Sequence, residues 1–361
     1  MNVAFRVDAS NEIGTGHFVR CLALADALAV CNNRIRFISR HLPPHFRAML
    51  AARGHEFIAL DSPAQTANAD GPPHAHWLGT SQEQDAADSI VALSDQSWDS
   101  LVIDHYALDA RWETRLRQSV TRILAIDDLA DRRHDCDILL DQNPYVDSGS
   151  RYNGKLPSHC LALLGLRFAL LRDEFRQAHE HVRERSGPVK RVLIFFGGVD
   201  ADNYTSVAID ALADLHLPDL QVDVIIGVQH PARAQIETAC ASRGYLCHVQ
   251  TPAIAQLMAQ ADLAVGAGGT ATWERCCLGL PTLTLCIAAN QRKLIDDAAL
   301  ANLICAATTS DPRTSLRHDL QGLIDHPNLR TLISRQGIDA VDGCGVSRIV
   351  RIMDTQPDSR T

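Results

Sequence analysis

The sequence predicts an α/β protein made of two Rossmann-like, doubly wound domains separated by a cleft. Three observations carry that expectation. The chain has 361 residues, enough for two domains at about 150 residues each. Short apolar runs alternate with amphipathic helical stretches, the pattern of a parallel sheet covered by helices. The alternation then restarts after the charged segment 172–190, which contains Gly187 and Pro188.

Residues 3–7 are an apolar run that reads as a strand. Residues 8–16 are a loop holding Gly14 and Gly16. A helix then starts at His17, with Phe18, Leu22, Ala25 and Ala29 on one face. Residues 35–39, 57–60, 101–104 and 123–126 read as strands, and residues 46–53, 82–93 and 110–119 as the helices between them. Residues 62–80, rich in Pro, Gly, Ala and Asn, read as a long surface loop. In the second half, residues 192–196, 222–226, 263–265 and 282–287 read as strands with helices between and after them. The expected divisions are 1–165, 166–345 and a terminal stretch 346–361, with a disordered tail from Thr355.

Composition narrows the function. The formal net charge is −9, with 46% hydrophobic and 21% charged residues, as in a soluble globular chain with a sizeable core. An acidic chain without a basic cluster is not built to hold a nucleic acid backbone. No apolar run approaches the roughly 18 residues of a membrane span. Arg6 and Asp8 fall where a signal peptide needs an apolar core, so a cytoplasmic location is expected. Eleven cysteines without a Cys-x-x-Cys read as buried reduced thiols rather than a disulfide framework.

Three glycine-bearing loops follow predicted strands, at the sheet edge where open α/β folds bind ligands. The first runs Asp8-Ala-Ser-Asn-Glu-Ile-Gly-Thr-Gly-His17. It lacks the third glycine of a dinucleotide fingerprint and the Gly-Lys-Ser/Thr of a P-loop. His17 opens the following helix. The positive end of the helix dipole disfavours an imidazolium, and a neutral ring can accept a proton as a general base. The bland alternative is a surface histidine, one of sixteen. Arg20, three residues on, lies on the same flank and either binds an anionic group or stays solvated. The second loop, Phe196-Gly-Gly-Val-Asp200, contains Gly198. The third, Val265-Gly-Ala-Gly-Gly-Thr-Ala-Thr-Trp-Glu274, enters a helix, so free amides near Gly268, Gly269 and Thr270 can face a diphosphate. Glu274, in the first turns of that helix, can accept from both hydroxyls of a ribose. A surface glutamate after a glycine turn is the alternative.

The third loop, with its Glu274, Gly279-Leu-Pro281 and Asn290-Gln291, resembles the nucleotide-diphosphate site of GT-B glycosyltransferases, the peptidoglycan N-acetylglucosaminyltransferase family among them. Five other stretches resemble the UDP-2,4-diacetamido-2,4,6-trideoxy-β-L-altropyranose hydrolase family of pseudaminic acid synthesis. They are Phe5-Arg-Val-Asp-Ala-Ser10, Ile13-Gly-Thr-Gly-His-Phe-Val-Arg20, Ile103-Asp-His-Tyr106, Ile126-Asp-Asp-Leu-Ala-Asp131 and Cys136-Asp-Ile-Leu-Leu-Asp-Gln-Asn143. The resemblance implies a GT-B-like fold with a UDP-sugar in the interdomain cleft. It implies inverting attack of water at the anomeric carbon, with no metal and no cofactor. His17 would then be catalytic and Tyr106 an active-site tyrosine near the sugar. Asn290 would contact ligand, Glu274 would hold the ribose, and the amides of Gly268, Gly269 and Thr270 would hold the phosphates. Asp8, Gly14, Gly16, Arg20 and Gly198 complete the expected binding set. The implied partner is the small-molecule UDP-sugar alone, with no nucleic acid or membrane, bound by a monomer. Residues after about 310 read as helices, one crossing back to the first domain as in many GT-B proteins.

Two rivals remain at this stage. A glycosyltransferase would share the donor site, and a UDP-sugar-binding protein without catalysis would share the fold. The presence of both His17 and Tyr106 speaks against the second. Metal sites fare worse. His41 and His45 bracket two helix-breaking prolines, and His74 with His76 and His179 with His181 lack further ligands at metal-site spacing. Asp127, Asp128 and Asp131 could attract a cation or cap a turn.

Overall fold

A computed structural model describes residues 1–10, 12–61, 72–308 and 312–355. The chain forms two compact units. The first comprises Met1–Asn143, Asp147–Leu170 and Gly345–Thr361; the second comprises Pro144–Val146 and Leu171–Cys344.

In the first unit, strands β1 (Asn2–Val7), β2 (Arg34–Ser39), β3 (Glu56–Ala59), β4 (Trp98–Asp104), β5 (Val120–Ile126), β6 (Ile138–Asp141) and β7 (Leu161–Leu164) alternate with helices. These are α1 (Gly16–Val30), α2 (Pro44–Ala52), α3 (Gln82–Ala92), α4 (Ala110–Leu116) and α5 (Ser148–Arg151). The seven strands form one parallel sheet in the order β3-β2-β1-β4-β5-β6-β7. Because strand side chains alternate between faces, β1 feeds two cores. Val3, Phe5 and Val7 pack with Phe18, Leu22 and Leu28 of α1. Ala4 faces the other way, toward Leu101, Ile103 and Trp112. The order reverses between β1 and β4, whose registers place Val7 beside Asp104, so the carboxyl ends of these strands make a ligand-accessible switch point.

The second unit holds α6 (Asp173–His179), β8 (Arg191–Phe195), α7 (Tyr204–Ala213), β9 (Gln221–Ile226), α8 (Arg233–Arg243), β10 (Leu246–Val249), α9 (Ile254–Gln260) and β11 (Leu263–Ala267). After these come α10 (Thr270–Cys277), β12 (Thr282–Leu285), α11 (Arg292–Leu300), β13 (Cys305–Ala306), α12 (Pro312–Asp325) and α13 (Pro327–Ala340). Its six parallel strands run β10-β9-β8-β11-β12-β13. The core is Val192, Ile194, Val224, Val265 and Leu283, with Leu316, Leu320 and Ile333 from the helices.

The last helix, α14 (Gly345–Asp354), belongs to the first unit. Val346, Ile349, Val350 and Met353 recur on one helical face and join the core of α1. Burying each contributes about 1.5–3 kcal/mol. Residues 62–71 of the expected surface loop, and 356–361 of the expected tail, lie outside the described residues. Residues 72–80 differ from the loop expectation. They include a 3₁₀ helix, Ala75–Leu78, whose Leu78 is 1% exposed, because a single apolar anchor suffices to pin one turn to the core. All eleven cysteines are free. They are not uniformly buried as expected: Cys31 is exposed beyond the end of α1.

Candidate functional site

β4 ends at Asp104, and α1 begins at Gly16 beside it, so the strand end meets the first turns of the helix. Asp104 is 1% exposed. Its Oδ1 lies 2.5 Å from His17 Nδ1 and accepts from Arg20 Nη2 at 2.7 Å; its Oδ2 accepts from Arg20 Nε at 2.6 Å. Burial pushes this carboxyl upward, but Arg20 and His17 outweigh it and hold the group well below the usual carboxylate range. An ionised carboxylate can only accept, so His17 Nδ1 donates to Asp104, and in the neutral tautomer that this fixes the lone pair is on Nε2.

Arg20 ties this pair to Tyr106. Its Nη1 donates to Asp128 Oδ2 at 3.0 Å, and the Tyr106 hydroxyl donates to Asp128 Oδ1 at 2.5 Å. The Tyr106 ring meets the His17 ring edge-on, centroids 4.6 Å apart. Burial first, and Asp128 second, push the phenol well above its ordinary range, so it remains a hydrogen-bond donor at neutral pH. Arg20 is 3% exposed and fully engaged by two carboxylates, not solvated. Asp127 contacts Arg132 at 2.7 Å. Asp127 and Asp128 are thus held in ionic networks, and no group of three or more His, Cys, Asp or Glu is placed to hold a metal among the described residues.

Asp8, directly after β1, is fully buried. It pairs with Arg6 at 2.8 Å and accepts from the amides of Arg40 and His41 at 2.8 and 3.1 Å, fastening β1 to the segment after β2. Gly14 adopts φ +81°, a conformation that favours glycine, and donates to the Ser10 carbonyl at 2.9 Å. The hydroxyl of Ser10 accepts from the amides of Glu12 and Ile13. Gly16 opens α1. The first loop is therefore braced by its own bonds.

In the second unit, Gly198 presses its carbonyl against Gly227, where a Cβ would stand 2.0 Å from that oxygen. Asp200 caps α7 through the amides of Tyr204 and Thr205. β11 lies beside β8, so the third loop emerges next to this one. Gly269 precedes α10 at φ +107° with no side-chain cap, which leaves the amides of Gly269 and Thr270 for an anion; the Gly268 amide, expected to join them, instead donates to the Leu285 carbonyl at 3.3 Å as the loop leaves the sheet. Gln291 donates to the Gly268 carbonyl at 3.3 Å, joining this loop to the 3₁₀ turn Ala289–Gln291 that carries the exposed Asn290. Glu274 is no surface glutamate. It is 5% exposed and accepts from Arg172 at 3.1 Å.

The structure thus brings His17, Arg20 and Tyr106 into one network, and Gly268, Gly269, Thr270 and Glu274 onto one loop and helix. Sequence reasoning missed several partners. Asp104 and Asp128 sat inside quoted motifs, Ile103-Asp-His-Tyr106 and Ile126-Asp-Asp, but nothing local marked them as the carboxylates that hold His17, Arg20 and Tyr106. Arg275 was also missed. It is buried, pushed down to about 10 by desolvation, and braces the third loop by donating to the Ala267 carbonyl at 2.7 Å.

No protein-family model matches the chain. Among curated proteins it is similar to the UDP-2,4-diacetamido-2,4,6-trideoxy-beta-L-altropyranose hydrolase of Campylobacter jejuni, 28% identical over 204 residues, covering 56% of this chain and 62% of that protein. It is also similar to the Bacillus subtilis spore coat polysaccharide biosynthesis protein SpsG, 25% identical over 194 residues, covering 52% of this chain and 56% of that protein. The matches span less than two thirds of the length of these relatives. Among solved structures, Acinetobacter baumannii MurG matches with TM-score 0.65 and 13% identity over 98% of this chain and 99% of the other. The Neisseria meningitidis UDP-GlcNAc 2-epimerase bound to UDP-GlcNAc matches with TM-score 0.61 and 13% identity, again over 98% and 99%. The fold is that of the GT-B glycosyltransferases, with parallel sheets of seven and six strands.

Proposed function

We propose that the chain is a UDP-sugar hydrolase that cleaves a UDP-linked 2,4-diacetamido-2,4,6-trideoxy-L-altrose at the anomeric carbon, with inversion and without a metal. The observation that carries this reading is the Asp104–His17 pair, with Arg20, Asp128 and Tyr106 locked around it. Its likeness to the Campylobacter hydrolase supports the same chemistry.

His17 Nε2 accepts a proton from water as the water oxygen bonds to C1. The C1–oxygen bond breaks, and its electron pair leaves on the UDP phosphate. Asp104 holds the ring's orientation and stabilises the imidazolium that forms. UDP leaves as a diphosphate, so the amides of Gly269 and Thr270 matter most as charge builds there. Glu274 accepts from the ribose hydroxyls, with Arg172 fixing its carboxylate. Gly14, Gly16, Gly198 and Asn290 shape the loops at which the ligand sits, and Asp8 fastens the first of them. The binding partner is this small molecule alone, the acting species is a monomer, and the setting is cytoplasmic.

The test is UDP release in EDTA with no acceptor added. Hydrolysis predicts UDP and free sugar in equal amounts, the sugar first appearing as the inverted anomer by NMR. The likeness to MurG favours one second reading, a glycosyltransferase with the same donor site. Release that begins only when an acceptor is supplied would establish it instead.

A further inference from the structure

The 3₁₀ helix Ala75–Leu78 is held by one residue that points inward, Leu78. Trp77 within this turn and His74 just before it lie on Tyr106. Trp77 stacks on Tyr106 at 5.7 Å and 29°, His74 lies 5.4 Å from the same ring, and His74 and Trp77 are 4.3 Å apart. Tyr106 in turn contacts His17. An exposed ion pair between His76 and Glu12, 3.0 Å, joins the helix to the first glycine loop.

Trp77 differs from the other tryptophans. The chain has four, and Trp98, Trp112 and Trp273 are at most 2% exposed. Trp98 and Trp112 donate their indole N–H groups to Leu93 and Asp85. Trp77 is half-buried, and its N–H has no partner among the described residues. Core packing therefore does not account for it. An aromatic face with a free N–H, one ring away from a general base, matches a sugar whose C–H face is apolar and whose substituents offer carbonyl acceptors. His74 adds a donor and an acceptor at the same place; burial lowers its affinity for a second proton, although Asp131 opposes this.

We propose that Trp77 and His74 form a sugar subsite beside His17, one that takes the C–H face and an acyl carbonyl of an N-acylated deoxyhexose. This rests on the hydrolase reading for its place in turnover, but the subsite can be tested without turnover. Iodide reaches exposed indoles, so quenching of the native protein reports on Trp77. The free 2,4-diacetamido-2,4,6-trideoxyhexose at millimolar concentration should shield Trp77 from iodide, UDP alone should not, and Trp77→Phe should abolish the shielded signal. In kinetics, Trp77→Ala should raise KM for the UDP-sugar about 10-fold, the size of a lost aromatic contact. It should leave kcat within about threefold and UDP affinity unchanged. His74→Gln should raise KM less.

Should Trp77→Ala fail to fold, wild-type quenching and Trp77→Phe still decide. Unchanged quenching with sugar overturns the subsite, as does wild-type KM in folded Trp77→Ala. Shielding by UDP alone overturns it in favour of a nucleotide contact. Shielding by sugar without any hydrolysis keeps the subsite and removes the hydrolase reading. Hydrolysis with no shielding does the reverse.

Discussion

Asp104→Asn separates the chemistry of the first unit from its stability. The carboxylate accepts at 2.5 Å from His17 and at 2.6 and 2.7 Å from Arg20. Asparagine offers one acceptor oxygen and an amide that donates. If that amide turns to His17, Nδ1 becomes the acceptor and the proton moves to Nε2, the atom that must take a proton from water. If the oxygen turns to His17, the amide faces Arg20 and repels it. Either way the imidazolium loses its anion. The expected loss in kcat is about 10³–10⁴-fold, roughly 4–5.5 kcal/mol of barrier. Breaking a buried ion pair from one side costs about 3–5 kcal/mol. Arg20 keeps Asp128 at 3.0 Å, so a stability loss of about 2–3 kcal/mol is expected, a Tm lower by roughly 5–10 °C. The assay is UDP release well below that Tm, with UDP affinity by calorimetry as the control. A folded Asp104→Asn protein with kcat within tenfold of wild type would refute the argument.

The remaining predictions concern the nucleotide end and a buried acid. Glu274→Gln should weaken UDP binding by about 1–3 kcal/mol with little change in uracil-free pyrophosphate binding; equal affinity for UDP would remove Glu274 from the ribose site. Asp141 is 3% exposed, and burial first, then Asp128, pushes its carboxyl up to about 8, well above the unfolded value. The folded chain then holds a proton that the unfolded chain releases. The associated stability is complete below about pH 4 and is lost as pH rises toward 8, up to about 5 kcal/mol in all. Asp141→Asn should flatten that decline in urea unfolding between pH 5 and pH 8, and an identical slope in mutant and wild type would show that Asp141 ionises normally.

The strands that sequence made legible are those buried on both faces, such as β1, β4 and β8, because continuous apolar runs announce them. Others carried weaker signals. β13 has two residues, β10 is half-buried and includes His248, and β6 is bounded by Asp137 and Asp141. Trp77 escaped for a related reason: it lies inside the Pro/Gly/Ala/Asn-rich stretch 62–80, where composition reads as loop and aromatic stacking leaves no periodic trace. His17 and Glu274 were legible because each sits near the start of a helix after a glycine loop. Asp104 and Asp128 were not assigned roles, since a carboxylate at a strand end gains its meaning only from neighbours more than 80 residues away in sequence, as with His17, or 22 away, as with Tyr106.

The most direct test of the account is turnover of the UDP-sugar in ¹⁸O-labelled water, with no acceptor, followed by the mass of the released UDP. Water attack at C1 predicts UDP of unlabelled mass, formed in step with free sugar, and no release by His17→Leu although that variant still binds UDP. Heavy oxygen in the terminal phosphate of UDP would mean cleavage at phosphorus, and equal turnover by His17→Leu would mean a different base; either result would contradict the mechanism drawn from this site.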